Sequence, residues 1–263
     1  MDLGIKNKVA IVSAASKGLG KATAQSLAKE GAIVVIFSRN KQDIEKTAEE
    51  ISRESHSDIL PLSADVTKLE DVEKVVNVTL ENFGKIDILI NNTGGPPIGN
   101  FQDITDEQWL YGFNLVLLSM IRMTRLVIPY MVKQKWGRIV NITSITAKQP
   151  IDDLILSSTL RPGILGLAKI LSNKYSRYGV LINNVCPGFI LTQRTKEIGS
   201  KRAESLNISL EKYLEQQSQE IPLRRYGKPE ELADFIAFLS SEKASYISGA
   251  TFSVDGGLIK GIL

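Results

Sequence analysis

The chain has 263 residues, of which 43% are hydrophobic and 23% charged, as in ordinary globular proteins. The net charge is only +3, and the 32 lysines and arginines form no long run, so nucleic acid is not favoured as a partner. A single cysteine, Cys186, excludes an internal disulfide. With His56 as the only histidine, the sequence predicts no metal site.

The N-terminus has Asp2 and then Lys6, Asn7 and Lys8, so no signal peptide is visible. No stretch approaches the ~20 uninterrupted apolar residues that a membrane span needs. We therefore expect a cytoplasmic protein without a membrane partner.

Short runs rich in β-branched residues alternate with longer amphipathic segments along the whole chain. The predicted strands are Val9–Val12, Ile33–Phe37, Ile59–Leu62, Ile86–Ile90, Arg138–Ile142, Leu181–Val185 and Ala250–Val254. Most are apolar on both faces, as strands of buried parallel sheets are. The alternation predicts a single α/β domain over residues 1–263, built as a Rossmann-type doubly wound parallel sheet with helices on both faces.

Helix signals occupy the segments between the strands. Two pairs of residues have the spacing of capping boxes: Thr67 with Glu70, and Thr105 with Gln108. The segment 106–134 is apolar over much of its circumference, so we predict a long helix packed on the sheet and on a neighbour.

The first predicted strand runs into a turn of small residues, 13–20, and then into a helix. Such a turn lets the backbone approach a pyrophosphate, whose charge is favoured at the helix N-terminus. Gly18 and Gly20 alone are weak evidence, because a purely structural turn can have the same composition.

Further motifs follow the later strands in a regular order. They are Asp65-Val66, Asn91-Asn92-Thr93-Gly94, Asn114 in the next helix, Pro187-Gly188 with Thr192, and Val254-Asp255-Gly256-Gly257. In order and spacing this series resembles that of the short-chain dehydrogenase/reductase family, in the style of 3-oxoacyl-[acyl-carrier-protein] reductases. The resemblance covers nearly the whole chain and implies hydride transfer between a nicotinamide dinucleotide and a small carbonyl or alcohol substrate.

The same resemblance implies which residues hold the dinucleotide. The pyrophosphate and ribose side is assigned to Ser13, Ala15, Ser16, Lys17, Gly18, Leu19 and Gly20, the adenine side to Asp65, Val66, Asn91 and Gly94, and the nicotinamide side to Pro187, Gly188, Ile190 and Thr192. Ala14 stands where the family has its first glycine. Because alanine disfavours positive φ, we expect a slightly shifted turn there.

The end of the second strand indicates which dinucleotide is bound. NAD enzymes usually place an acid there, about 20 residues after the glycine turn, to bind the ribose 2′-hydroxyl. This chain has Ser38 and Arg39 instead, and Lys17 lies in the turn. Because these groups suit a 2′-phosphate, we predict NADP(H), with NAD(H) as the alternative.

The residues of the reaction depart from the family pattern. Aligned on Ile139–Ser144, the family's serine is Ser144 and its asparagine is Asn114. Its Tyr-x-x-x-Lys, which moves the proton and holds the nicotinamide ribose, reads Ser157-Ser158-Thr159-Leu160-Arg161 here. Arg161 keeps a positive charge that can bind the ribose hydroxyls. The short Ser157 hydroxyl reaches a substrate only through water.

Two hypotheses follow. In the first, the chain is an NADP(H)-dependent oxidoreductase in which Ser144, Asn114 and Arg161 orient substrate and ribose, while a water on Ser157 carries the proton. In the second, it binds the dinucleotide as a sensor or assembly protein with little turnover. The retained Ser144 and Asn114 favour the first. The resemblance also implies a homo-oligomer, a tetramer or dimer, with the segment 161–163 at the start of an interface helix.

Overall fold

Seven strands form one sheet, in the order β3-β2-β1-β4-β5-β6-β7, in the computed structural model, which describes residues 1–262. The strands are β1 (Val9–Ser13), β2 (Ile33–Ser38), β3 (Ile59–Ser63), β4 (Ile88–Asn91), β5 (Gly137–Ile142), β6 (Val180–Pro187) and β7 (Thr251–Val254). Every neighbouring pair is parallel. The predicted parallel sheet is therefore confirmed.

Helices cover both faces of this sheet, also as predicted. Within residues 1–262 the α-helices are α1 (Gly18–Lys29), α2 (Lys41–Ser55), α3 (Leu69–Phe83), α4 (Asp106–Phe113), α5 (Ser119–Gln134), α6 (Ile155–Tyr175), α7 (Gln193–Ser205), α8 (Leu210–Ser218) and α9 (Pro229–Leu239). Apolar residues of α1, α2 and α9 form one core with the sheet. Those of α3, α5 and α6 form a second core.

The strand order reverses between β1 and β4, since the chain builds β2 and β3 on one side and the remaining strands on the other. The helices that follow β1 and β4 leave on opposite faces, which opens a crevice at the carboxyl ends of these two strands. Open α/β sheets bind their ligands at this switch point. The topology thus locates the functional site before any side chain is considered.

Two of the predicted helix starts differ from the structure. Thr105 and Gln108 do form a capping box, but Thr67 and Glu70 do not. The Thr67 hydroxyl instead donates to the Asp65 carboxylate at 2.8 Å, and α3 begins two residues later. Likewise, α6 begins at Ile155, so the segment 161–163 lies inside the helix rather than at its start. At Thr67 the contact with Asp65 outweighs the sequence signal.

The predicted long helix over 106–134 consists of α4, a π-helical turn at Asn114–Leu118, and α5. By length and composition alone this segment could cross a membrane, but half of its apolar window is buried within the protein. Met120, Met123 and Val127 of α5 belong to the core under the sheet. Its apolar character is therefore explained by packing on the sheet and on α3.

Buried amide side chains cross the sheet from β4 to β7. Asn91 Nδ2 donates to Asn141 Oδ1 at 2.8 Å, Asn141 Nδ2 donates to Asn184 Oδ1 at 2.9 Å, and Asn184 Nδ2 donates to Thr251 Oγ1 at 3.1 Å. These residues are direct partners in the strand register. The hydrogen bonds satisfy polar groups that would otherwise be buried without a partner.

Replacing Asn141 by alanine is expected to lower the free energy of unfolding by about 3 kcal/mol, because both of its neighbours lose a buried partner. Urea unfolding followed by circular dichroism measures this change. Asn82→Ala, at an exposed position of α3, is the control and should change stability by less than about 0.5 kcal/mol. Equal stabilities of the two variants would contradict a stabilising role for the amide row.

Candidate active site

A cleft of about 680 Å³ lies at the switch point, between the ends of β1 and β4. Its size is that of a small-molecule site. Most of the predicted site residues line it: Ser16, Lys17, Gly18, Leu19, Ser38, Arg39, Asp65, Val66, Gly94, Ser144, Arg161, Pro187, Gly188, Ile190 and Thr192. Residues that are far apart in the chain therefore meet in one cavity.

Four predicted cofactor residues do not line the cleft: Ser13, Ala15, Gly20 and Asn91. They are buried directly beneath it. The Ser13 hydroxyl donates to the Asn92 carbonyl at 2.6 Å and joins β1 to β4. A Cβ at Gly20 would stand 2.5 Å from the Ala14 carbonyl oxygen, so only glycine lets α1 begin so close to the turn. In the structure these residues shape the turn rather than face the cavity.

Ala14 takes a left-handed conformation, with φ of +49°. The turn thus keeps the positive φ that glycine usually supplies, instead of shifting to relieve the alanine. For an L-residue this conformation costs about 1 kcal/mol. The Asn92 side chain donates to the Ala14 carbonyl at 3.3 Å and helps hold it in place.

The adenosine end of the cleft fits a phosphorylated dinucleotide. A Cβ placed on Gly94 would meet no atom within 4 Å, so the backbone there is open to a ligand. Beside it, Thr93 Oγ1 is buried without a hydrogen-bond partner among residues 1–262. Lys17 and Arg39 line the same cavity and make no ion pair within the described chain. The two cations are therefore available to a bound phosphate group, whereas the Thr93 hydroxyl is buried behind the cleft surface.

Ser157 and Arg161 lie one turn apart on α6, and their side chains contact each other. Arg161 Nε donates to Ser157 Oγ at 2.9 Å, and Arg161 Nη1 donates to the Thr143 carbonyl at 2.9 Å. A third contact joins Ser157 Oγ to Thr146 Oγ1 at 2.9 Å. Arg161 lines the cleft, whereas Ser157 does not. The arginine thus stands between the serine and the cavity.

Arg161 is a buried cation without a carboxylate. It is 6% exposed and makes no ion pair within residues 1–262. Burial is the main cause that lowers the pKa of Arg161 to about 10, and the charge of Arg194 contributes to this lowering. Its Nη2 makes no hydrogen bond in the described chain, yet it is not among the fully buried atoms that lack a partner. Nη2 therefore reaches the cleft.

Ser144 lies at the end of β5 and lines the same part of the cleft. Its Oγ accepts the Thr146 backbone N–H at 3.2 Å. The hydroxyl proton has no acceptor among the residues that the structure describes, so it can be donated to a substrate oxygen. Ser144 and Arg161 together offer two donors at the reacting end.

Asn114 does not line the cleft. Its Nδ2 donates to the Thr67 carbonyl at 3.1 Å, and its Oδ1 accepts from Arg122 Nη1 at 3.0 Å. It also begins the π-helical turn between α4 and α5. In the structure its side chain holds this junction against the loop after β3.

The cleft residues that were not predicted from the sequence include Tyr111 of α4 and Arg194 of α7. Arg194 Nη2 approaches the Gly95 carbonyl at 3.5 Å, so its side chain crosses the cleft. The sequence signal that could have identified Arg194 as a cleft residue was its position two residues after Thr192. That signal does not say which way α7 folds over the site.

Comparison with known proteins identifies the family. The family model described as Enoyl-(Acyl carrier protein) reductase matches residues 13–259. Dehydrogenase/reductase SDR family member 4 of Oryctolagus cuniculus is 36% identical over 254 residues, which cover 96% of this chain and 94% of that protein. This chain belongs to the short-chain dehydrogenase/reductase family. Another member, the 3-oxoacyl-[acyl-carrier-protein] reductase FabG of Thermotoga maritima, is 31% identical over 97% of this chain and 99% of its own.

Solved structures of short-chain reductases superpose closely. L-sorbose reductase from Gluconobacter frateurii, in complex with NADPH and L-sorbose, gives a TM-score of 0.96 at 30% identity over the full length of both chains. YwfH, an NADPH-dependent reductase involved in bacilysin biosynthesis, gives 0.92 at 30% identity and covers 98% of this chain and 100% of its own. These similarities confirm two predictions: that the chain is an oxidoreductase, and that its dinucleotide is NADP(H).

Proposed function

We propose that this protein is an NADPH-dependent reductase in which Arg161 and Ser144 stabilise the reacting oxygen in place of a catalytic tyrosine. The observation that carries the proposal is the buried guanidinium of Arg161, whose Nη2 reaches the cleft and has no carboxylate partner. Ser144 supplies a second donor beside it. In this proposal the carbonyl oxygen of the substrate would lie between these two groups.

When bound, NADPH would supply a hydride to the carbonyl carbon, and negative charge would then develop on the substrate oxygen. Arg161 Nη2 and the Ser144 hydroxyl would donate to this oxygen as its charge grows. Donors that are already oriented in a site with little water stabilise such charge strongly. We assign the proton that completes the alcohol to a water molecule, which would leave as hydroxide, so that Arg161 keeps the charge that stabilises the oxygen.

The sequence-based hypothesis placed that water on Ser157. The structure supports a different position, because Ser157 Oγ is held by Arg161 and Thr146 and does not line the cleft. We therefore place the water against Ser144 and Arg161. Asn114 would act as a positioning residue, through its contact with the loop that follows β3.

The burial of Ser157 also favours a second candidate, a dinucleotide-binding sensor with little turnover. Initial rates of NADPH oxidation over a panel of ketones and aldehydes separate the two functions. Carbonyl-dependent oxidation supports the reductase. Tight NADPH binding without oxidation by any carbonyl supports the sensor.

NADPH should bind more tightly than NADH, and Arg39→Ala should weaken NADPH binding about 10- to 100-fold. The reason is that a charged hydrogen bond to the 2′-phosphate is lost. Titration of protein fluorescence with both dinucleotides measures the change. Arg53→Ala, at an exposed position of α2 outside the cleft, is the control. An equal loss of NADH affinity would contradict this role for Arg39.

We also infer that the protein forms a homo-oligomer in the cytoplasm. Large apolar side chains project from the outer faces of α4 and α6, where Leu110 is 70% exposed and Ile170 is 68% exposed. Exposed apolar residues on neighbouring helices suit burial against a second copy. Size-exclusion chromatography with light scattering distinguishes a monomer from a dimer or tetramer.

A further inference from the structure

Among residues 1–262, two guanidinium groups and no acidic side chain lie at the reaction end of the cleft. Arg161 contacts the Thr143 carbonyl next to Ser144, and Arg194 follows Thr192, which is assigned to the nicotinamide side. The acidic residues that line the cleft, Asp43 and Asp65, lie on α2 and after β3, at the adenosine end. No carboxylate of the described chain therefore compensates the positive charge of Arg161 and Arg194.

Arg194 differs from other arginines of the same region. Arg202, also on α7, is paired with Asp153, and Arg225 is paired with Glu231 at 2.6 Å. Arg194 makes no ion pair among residues 1–262, and its one hydrogen bond is the long contact to the Gly95 carbonyl. Its guanidinium is thus available to a ligand.

The ribose hydroxyls of the dinucleotide carry no charge and do not compensate two cations, and its charged pyrophosphate is assigned to the turn 13–20. Arg161 and Arg194 line the same cleft, and, after burial, the charge of Arg194 also contributes to the lowered pKa of Arg161. Two cations that face one cavity repel each other unless an anion lies between them. Guanidinium groups bind carboxylates with strong, directional hydrogen bonds.

We propose that the substrate is an oxo acid, with its carboxylate bound by Arg194 at the mouth of the cleft and its carbonyl against Ser144 and Arg161. This inference rests on the proposed reductase function. Arg194 becomes the residue that selects acids over neutral ketones. A carboxylate at the mouth also places the carbonyl deeper, toward the residues that follow β6.

Matched pairs of acids and methyl esters test this proposal: pyruvate, acetoacetate and levulinate, each against its own methyl ester. Binding to the protein–NADPH complex is followed by the change in NADPH fluorescence, and turnover by NADPH oxidation. At least one acid should bind about 10-fold or more tightly than its ester. Arg194→Gln should abolish that preference, and Arg194→Lys should keep part of it.

Lys196→Gln is the matched control, because Lys196 is an exposed cation of the same helix outside the cleft. It should leave the acid preference unchanged. Equal binding of every acid and its ester would overturn the proposal, and so would an equal loss of preference in Lys196→Gln and Arg194→Gln. Tighter binding of dihydroxyacetone phosphate than of all three acids would overturn the assignment to a carboxylate. Acids that bind through Arg194 without NADPH oxidation would contradict the reductase function but support the anion site.

Discussion

Replacing Arg161 by glutamine should lower kcat/KM for carbonyl reduction about 10²–10³-fold, as the loss of an oriented oxyanion donor does in other enzymes. Arg161 is the only basic side chain that is both buried and in the cleft among residues 1–262. Steady-state NADPH oxidation and a parallel NADPH titration measure the two effects separately. A fall in kcat with unchanged NADPH affinity is the expected result.

If Arg161 only held the ribose, the loss would instead be in NADPH affinity, with kcat unchanged. Ser157→Ala is the matched control, because it removes a hydroxyl that Arg161 contacts and leaves the positive charge in place. It should change kcat/KM by less than about 10-fold, the cost of one neutral hydrogen bond.

Tyr111→Phe tests the one tyrosine that lines the cleft in the described chain. A large loss there would assign the proton to Tyr111 rather than to water.

The pH profile adds a readout that a purely structural role would not give. Burial lowers the pKa of Arg161 to about 10, so the guanidinium stays charged below that value and loses its charge as the pH rises through it. The rate of hydride transfer should therefore be level from about pH 6 to about pH 9 and fall as the pH approaches 10. A single-turnover rate that titrates near pH 7 would contradict this assignment.

The double substitution Ser157→Tyr with Arg161→Lys should raise carbonyl reduction about 10²-fold or more, since a positioned general acid contributes ~10²–10⁴-fold. The tyrosine would bring a phenol toward the cleft, and the lysine would lower the pKa of that phenol. The measurement is kcat/KM of the double variant beside the unmodified protein. No gain in a folded variant that binds NADPH would show that the cleft has diverged at other positions as well.

The single substitutions are the controls for this prediction. Ser157→Tyr alone should destabilise the protein by about 1–3 kcal/mol, because the Arg161 guanidinium lies 2.9 Å from Ser157 Oγ, where a ring would have to pass. Thermal unfolding measures this loss. Arg161→Lys alone makes room for a ring at position 157 but adds no general acid, so it should not raise the rate of carbonyl reduction. A gain that needs both changes would show that the serine and the arginine are adapted to each other.

Local patterns predicted those features of the chain that depend on neighbouring residues. Buried β-branched runs gave the strands, and the Thr105–Gln108 capping box gave the start of α4. The pair Thr67 and Glu70 has the same spacing, but the nearby Asp65 carboxylate takes both the hydroxyl and the backbone N–H of Thr67. The capping-box spacing does not take into account a competing acceptor such as the Asp65 carboxylate.

By itself, the sequence determined the parallel α/β sheet and the family, and it predicted the turn for the dinucleotide and the replacement of tyrosine and lysine by Ser157 and Arg161. Only the tertiary structure decided that Arg161 reaches the cleft while Ser157 lies behind it, and that Arg194 crosses the mouth. A four-residue spacing places two side chains on one helix face but does not say which is nearer the cavity. Which side chain is nearer the cavity depends on how α6 packs beside β5 and how α7 folds over the strand ends. These are contacts between residues that are far apart in the chain.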